Sequence, residues 1–293
     1  MAEQLLTDNE FSLLRLMPTV LRARDFRLYT KDGGRLIDLW QNGGAAILGH
    51  TPPSLLRELK NTASRGLYAP FPHFLEGRYL KALSRVFPGR NFRLYAAPPP
   101  ELCALAAEGR DKAIGKVAGK AAVALWRPFL DPAAPLAVPE NAPPVLIPVV
   151  PGIQGWRGGL PYGLCALAID PAFEKAISLP PGDFLSPVLL ALAARGIYDL
   201  IAAAPQRANP AYPRITRALK NNQLNTVQWQ RQGLYLTLRE NPSPENWAAL
   251  FRRFLDKGFL LPPVSSQPLI LPGVLSPGEE AQLAGLLADT TYG

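Results

Sequence analysis

The chain has 293 residues, 48% hydrophobic and 18% charged, with a formal net charge of +8. That length supports one large or two modest domains with a sizeable core, and the apolar share excludes a disordered chain. The positive charges are dispersed, with no Lys/Arg block and no basic-aromatic interleave, which predicts a solvated surface and argues against a nucleic-acid binder.

Proline stands at 32 residues, about double its usual ~5% share, and predicts interrupted elements and rigid loops. Cys103 and Cys165 lie in apolar surroundings and read as buried thiols of a reducing compartment. With only two histidines and no Cys/His cluster at metal spacing, no metal is expected. Glu3, Asp8 and Glu10 occupy the N-terminus, where a signal peptide would be basic and then apolar. Uninterrupted apolar runs fall short of the ~18–20 residues of a membrane span. Phe184 to Pro205 comes nearest, and Arg195 and Asp199 within it predict a buried helix. A cytoplasmic protein without a membrane partner is expected.

In chain order, residues 1–24 read as a helix with Leu13, Leu14, Leu16 and Met17 on its apolar side, broken near Pro18. Phe26 to Tyr29, the Asp32-Gly33-Gly34 turn and Leu36 to Leu39 predict a hairpin. A glycine pair (Gly43, Gly44) and Gly49-His50-Thr51-Pro52-Pro53 follow. Ser54 is expected to cap a helix carrying Leu55, Leu56 and Leu59. A second helix covers roughly 73–86. Phe92 to Ala96 predicts a strand, then Pro98, Pro99 and Pro100 lead into a helix from Glu101. Ala121 to Trp126 suits a central parallel strand. Residues 131–144 form a proline-rich loop, and Val145 to Val150 another strand despite Pro148. Gly152 to Gly163 is a glycine-rich loop ahead of strand Leu164 to Ile169.

Ser186-Pro187 opens a long apolar helix to about Ala204. The remainder reads as an α+β unit: helix Tyr212 to Lys220, strands Thr226 to Trp229 and Leu234 to Leu238, and a helix from Ser243-Pro244-Glu245 to Lys257-Gly258. A last helix opens on the capping box Ser276-Pro277-Gly278-Glu279. The expected divisions are an N-terminal segment 1–50, an α/β domain 51–204 and a C-terminal α+β domain 205–293.

Arg35-Leu36-Ile37-Asp38 followed by Leu48-Gly49-His50-Thr51-Pro52 resembles the N-terminal signature of class III aminotransferases, "G-x-x-y-i-D" and then "l-G-H-x-h-P". Asp256 to Pro262 and Leu275 to Glu280 resemble that family's tail, "e-x-G-v-l-l-x-P" and "S-x-x-h-t-e-e-e-i". The resemblance brackets the chain, with the middle shortened relative to a working member. It implies a fold-type I, three-layer α/β/α architecture, truncated, with a central mostly parallel sheet and a small C-terminal α+β unit. It also implies pyridoxal phosphate as cofactor and a homodimer, or pairing with a paralogous aminotransferase.

That cofactor calls for three fixtures. A cup of backbone N–H groups at a helix N-terminus holds the phosphate. In the family it is "s-G-s-E-A-x-E", and here Ala97-Pro98-Pro99-Pro100-Glu101 takes its place, with prolines that have no N–H. An aspartate keeps the pyridinium protonated. On the matching strand Val149 and Val150 stand where the family has Asp-Glu. A lysine forms the Schiff base, and Gln154 takes its place before the turn Gly155 to Gly163. A second alignment places 146–159 on the family's "D-E-V-q-t-G-x-G-R-t-G", which makes Arg157 the family's arginine. Neither alignment leaves a lysine in place.

Lys175 is flanked by charges, and Lys112, Lys116 and Lys120 lie on a polar stretch, so all four read as solvated. His50 reads as a turn-packing residue without an evident acidic partner. Asp170/Glu174 and Glu279/Glu280 read as helix N-terminal acids. Trp156 and Arg157 are candidates for a ligand or partner contact. The expectation is an aminotransferase-like protein without pyridoxal phosphate catalysis, a scaffold or regulatory subunit. The alternative is a transaminase or aminomutase-like enzyme with a displaced lysine.

Overall fold

The computed structural model describes residues 12–102, 123–138, 145–147, 155–157, 160–162, 164–176, 179–208, 210–221 and 228–289. The strands are, in chain order, β1 (Val20–Arg24), β2 (Arg27–Thr30), β3 (Arg35–Asp38), β4 (Asn91–Tyr95), β5 (Ala124–Leu125), β6 (Val145–Ile147), β7 (Gly155–Arg157), β8 (Leu160–Tyr162), β9 (Cys165–Ile169), β10 (Trp229–Gln232), β11 (Tyr235–Leu238), β12 (Phe259–Leu260) and β13 (Leu269–Ile270). Among the described residues the helices of two turns or more are α1 (Pro53–Ala63), α2 (Leu75–Val86), α3 (Pro187–Arg207), α4 (Pro213–Asn221), α5 (Pro244–Asp256) and α6 (Pro277–Ala288). The chain divides into two units, one of residues 1–51, 129–133 and 205–293, the other of residues 52–128 and 134–204.

In the first unit the predicted hairpin forms, with Leu28 opposite Leu36 in the β2–β3 pair. The helix expected over 1–24 is present only at 12–14 among the described residues, and 20–24 is a strand instead. Pro18 stops the helix, and the outer edge of β2 offers backbone partners that β1 takes antiparallel. On its other side β3 pairs in parallel with β12, Ile37 beside Phe259. A second sheet has the order β10-β11-β13. Thr226 and Val227 lie outside the described residues, and the strand expected there runs 229–232.

The face of α5 made by Trp247, Leu250, Phe251 and Phe254 is buried. Spacings of three and four residues place these side chains on one stripe, and with Leu36, Ile37, Phe259 and Leu283 they make the core. Ser243 Oγ accepts the Asn246 amide at the start of α5. The capping box on α6 is complete, its Ser276 and Glu279 exchanging both bonds. Both caps stand where the sequence placed them.

In the second unit the sheet order is β4-β9-β6-β5. β9 is antiparallel to β4 and β6, and β5 is parallel to β6, so three of these four strands point one way. All five residues of β9 are fully buried, which explains its unbroken apolar sequence. Ser54 is not a cap. The N-cap of α1 is Pro52, and Ser54 Oγ donates to Asp199 Oδ2 at 2.5 Å. Gly152 to Gly163 was expected as a loop, yet within it β7 and β8 pair as a short ribbon, Trp156 opposite Pro161. α3 has the length and hydropathy of a membrane span, but Ala191, Ala193, Ala194 and Ile197 are fully buried, as in a core helix.

Candidate functional site

The segment that carries the family signature is built around Asp38, at the end of β3 and 2% exposed. Its Oδ1 accepts the amides of Trp40 at 2.9 Å and Gln41 at 2.7 Å, and Oδ2 lies 2.8 Å from His50 Nε2. With Oδ1 already taken by two donors, Oδ2 is the acceptor that faces the imidazole Nε2–H. The His50 amide donates to the Asp25 carbonyl at 2.7 Å. Gly49 holds φ +97° with its backbone against Asp25, where a Cβ would come to 3.2 Å of the Asp25 Cα. His50 is therefore a turn-packing residue, and its acidic partner is the aspartate of the Arg35-Leu36-Ile37-Asp38 motif.

Between Asp38 and His50 the backbone coils through left-handed conformations at Gln41 (φ 51°) and Asn42 (φ 49°). Gln41 is fully buried, and its Nε2 donates to the Ile270 carbonyl at 3.0 Å. Trp40 Nε1 donates to Gln267 Oε1 at 2.8 Å. These bonds tie residues 38–47 to 267–271 within the first unit.

In the second unit, the residues matched to the phosphate cup follow β4. Of residues 96–100 only Ala96 and Ala97 have an N–H, and the Ala96 amide donates to Asp183 Oδ2 at 2.9 Å. The Asp183 amide donates to the Leu94 carbonyl at 2.7 Å. Residues 179–183 are tied along β4 by two further bonds, Arg93 Nη1 to the Leu179 carbonyl and Tyr95 Oη to the Pro180 carbonyl. The end of β4 thus presents a carboxylate and proline rings, whereas a phosphate needs a ring of open amides.

Val149 and Gln154 lie outside the described residues, as do Cys103, Lys112, Lys116 and Lys120. Trp156 and Arg157 belong to β7. Among the described residues no three His, Cys, Asp or Glu side chains gather as a metal site. What sequence reading missed is Asp183. It sits well over 80 residues from Ala96, and only the proline-glycine pair Pro181-Gly182 before it hints at a tight passage.

No protein-family model matches the chain. It is similar to an uncharacterised protein of Treponema pallidum (strain Nichols), 30% identical over 89% of this chain and 91% of that one. A shorter stretch resembles the glutamate-1-semialdehyde 2,1-aminomutase of Sorangium cellulosum (strain So ce56), 33% identical over 24% of this chain and 16% of that enzyme. Among solved structures, the ornithine δ-aminotransferase of Plasmodium falciparum superposes with a TM-score of 0.63 at 12% identity, covering 97% of each chain. The chain belongs to one family with the Treponema pallidum protein, and its fold is that of the class III, fold-type I aminotransferases.

Proposed function

We propose that this protein has lost pyridoxal phosphate catalysis and serves as a non-catalytic scaffold or regulatory subunit with an aminotransferase fold. The end of β4 carries this reading. Three prolines remove the amides that would hold a phosphate dianion, and the Ala96 amide is engaged by Asp183. The carboxylate beside it adds like-charge repulsion. The sequence supports the same reading at two further positions. Gln154 has no amine that can condense with an aldehyde, and Val149 cannot stabilise a pyridinium charge.

The proposed partner is a second copy or a paralogous aminotransferase. Leu56 (48%), Tyr68 (64%), Phe71 (54%) and Phe74 (68%) are exposed within a span of 19 residues. We assign the partner contact to the surface that these four side chains leave exposed.

The test is a titration of the pure protein with pyridoxal phosphate, followed by borohydride and mass analysis. We expect no saturable, reducible aldimine absorbance at ~420 nm and only scattered, sub-stoichiometric pyridoxyl labelling. A stoichiometric adduct on one lysine would overturn the proposal. Light scattering of the wild type against Phe71→Ser/Phe74→Ser reads the partner surface, with loss of self-association or of paralogue binding as the expected result.

A further inference from the structure

The sheet that contains β1, β2 and β3 has two unlike faces. Side chains alternate along a strand, and the register places Ala23, Leu28 and Leu36 on one face. Leu28 and Leu36 belong to the core, and Ala23 packs against it. The other face carries Arg22, Tyr29 and Arg35 in one row across the three strands, with Arg24 beside Arg27 in the next. Arg22, Arg24 and Arg35 are exposed, and Tyr29 is half-buried at their centre. The Arg22 guanidinium carbon lies 4.4 Å from the Tyr29 ring centre. Exposed Lys31 continues the same side of β2, its amide still on the β1 ladder through the Thr19 carbonyl at 2.8 Å.

The nearby carboxylates leave this face positive. Glu279 is buried, and its single charge is shared between Arg27 at 2.6 Å and Arg35 at 3.1 Å, with the Arg35 side chain still 52% exposed. Asp32 is turned into its own loop, where it accepts the Thr30 hydroxyl and the Gly34 amide. Asp25 lies 3.9 Å from Arg24 with both side chains in water, and a pair of that kind is weak. In the sequence these cations are spread over residues 22–35 and form no block. Strand pairing gathers them around one aromatic ring.

We infer that this face binds single-stranded nucleic acid, with phosphates against Arg24, Lys31 and Arg35 and a base stacked on the Arg22–Tyr29 pair. The charge of the face complements a polyanion, and guanidinium and phenol rings are stacking platforms for bases. The exposed sheet surface needs no opening, so a flexible strand reaches it directly. Leu21, at the register shift of β1, is exposed beside Arg22, whereas Val20 pairs with Thr30 and belongs to the opposite face. A single leucine supplies neither the apolar core of a protein interface nor the inserted face of a membrane binder. The inference is independent of whether the chain binds pyridoxal phosphate.

The test is fluorescence anisotropy of a labelled oligouridylate of about twelve nucleotides, titrated with the full chain. We expect saturable binding, with log Kd rising against log salt at a slope of about 2–3, as for three or four phosphates. Arg22→Ala/Arg24→Ala should weaken binding about tenfold or more. Arg57→Ala/Arg65→Ala removes the same charge from exposed arginines of the second unit and should bind as the wild type does. Tyr29→Phe should keep the affinity and Tyr29→Ala should lose it. A 4-thiouridine oligonucleotide should crosslink to the wild type within residues 20–35, and this readout decides the matter should Tyr29→Ala fail to fold. Absence of saturable binding overturns the inference, as do crosslinks confined to other segments. An equal loss in the two double-arginine variants also overturns it, because net charge alone would then hold the strand. An oligoglutamate peptide and phosphatidylserine vesicles serve as competitors and should not displace the oligonucleotide. Displacement by the peptide would assign the face to an acidic protein, and displacement by vesicles to a membrane surface, and either result overturns the inference.

Discussion

His50 Nε2 lies 2.8 Å from the Oδ2 of Asp38, twelve residues earlier, and so closes the turn between β3 and α1. The same carboxylate takes the Trp40 and Gln41 amides. Asp38→Ala leaves three donors without their acceptor in a place water barely reaches, and we predict a loss of about 3 kcal/mol. Asp38→Asn keeps one acceptor oxygen and should cost less. Urea unfolding followed by tryptophan fluorescence measures both.

Glu279 joins the start of α6 to β2. It accepts the Ser276 amide at 2.8 Å and two bonds from Arg27, at 3.1 and 2.6 Å. Burial pushes its carboxyl up, but the hydrogen bonds from Arg27 and Ser276 and the Arg27 charge together hold it below the ordinary 4.5. A carboxylate lowered in the folded state stabilises fully above its unfolded value. That contribution is lost as pH falls from about 4.5 through the lower folded value. At pH 7 Glu279→Gln should cost about 2 kcal/mol. The gap between the variant and the wild type should narrow below about pH 4, as read from urea midpoints across pH 3–7. A gap that stays constant over that range would contradict the assignment.

Gly233, in the β10–β11 turn, has φ +58°, and a Cβ there would fall 1.9 Å from the Phe129 carbonyl oxygen. That oxygen accepts the Leu234 amide at 3.2 Å, so residues 129–133 are pinned to the turn. Gly233→Ala adds both a left-handed penalty and a backbone clash. We predict a loss of about 3 kcal/mol or more. Faster hydrogen exchange at the Leu234 amide would report that residues 129–133 had moved away.

Asp183→Ala releases the Ala96 amide. One exposed, charge-assisted bond is removed, so a stability loss of about 1–2 kcal/mol is expected. The prolines at 98–100 still offer no N–H, and the variant should gain no affinity for pyridoxal phosphate. Equilibrium dialysis checks this. Tight binding by the variant would mean that Asp183, and not the prolines, closes the phosphate position.

Helix starts were legible because their partners are local. Ser276 and Glu279 cap α6 across three residues, and Ser243 caps α5 in the same way. The β2–β3 hairpin was legible through its turn glycines and alternation. β1 was not, because a sequence rich in arginine became a strand only by pairing with the β2 edge. Ser54 shows the same limit. A serine at a helix start reads as a cap, yet Pro52 holds that place and the serine hydroxyl meets Asp199, 145 residues away.

By itself, the sequence determined the caps on α5 and α6, the β2–β3 hairpin, the signature around Asp38 and the run of prolines at 98–100 that carries no N–H. Each follows from backbone chemistry within a few residues. Only the tertiary structure decided that Asp38 pairs with His50, that Asp183 takes the Ala96 amide, that Glu279 holds Arg27 and that Arg207 donates to the Leu271 carbonyl. Those outcomes depend on which distant segments burial brings together, and on which polar groups lose water when it does. No local pattern of residues specifies either.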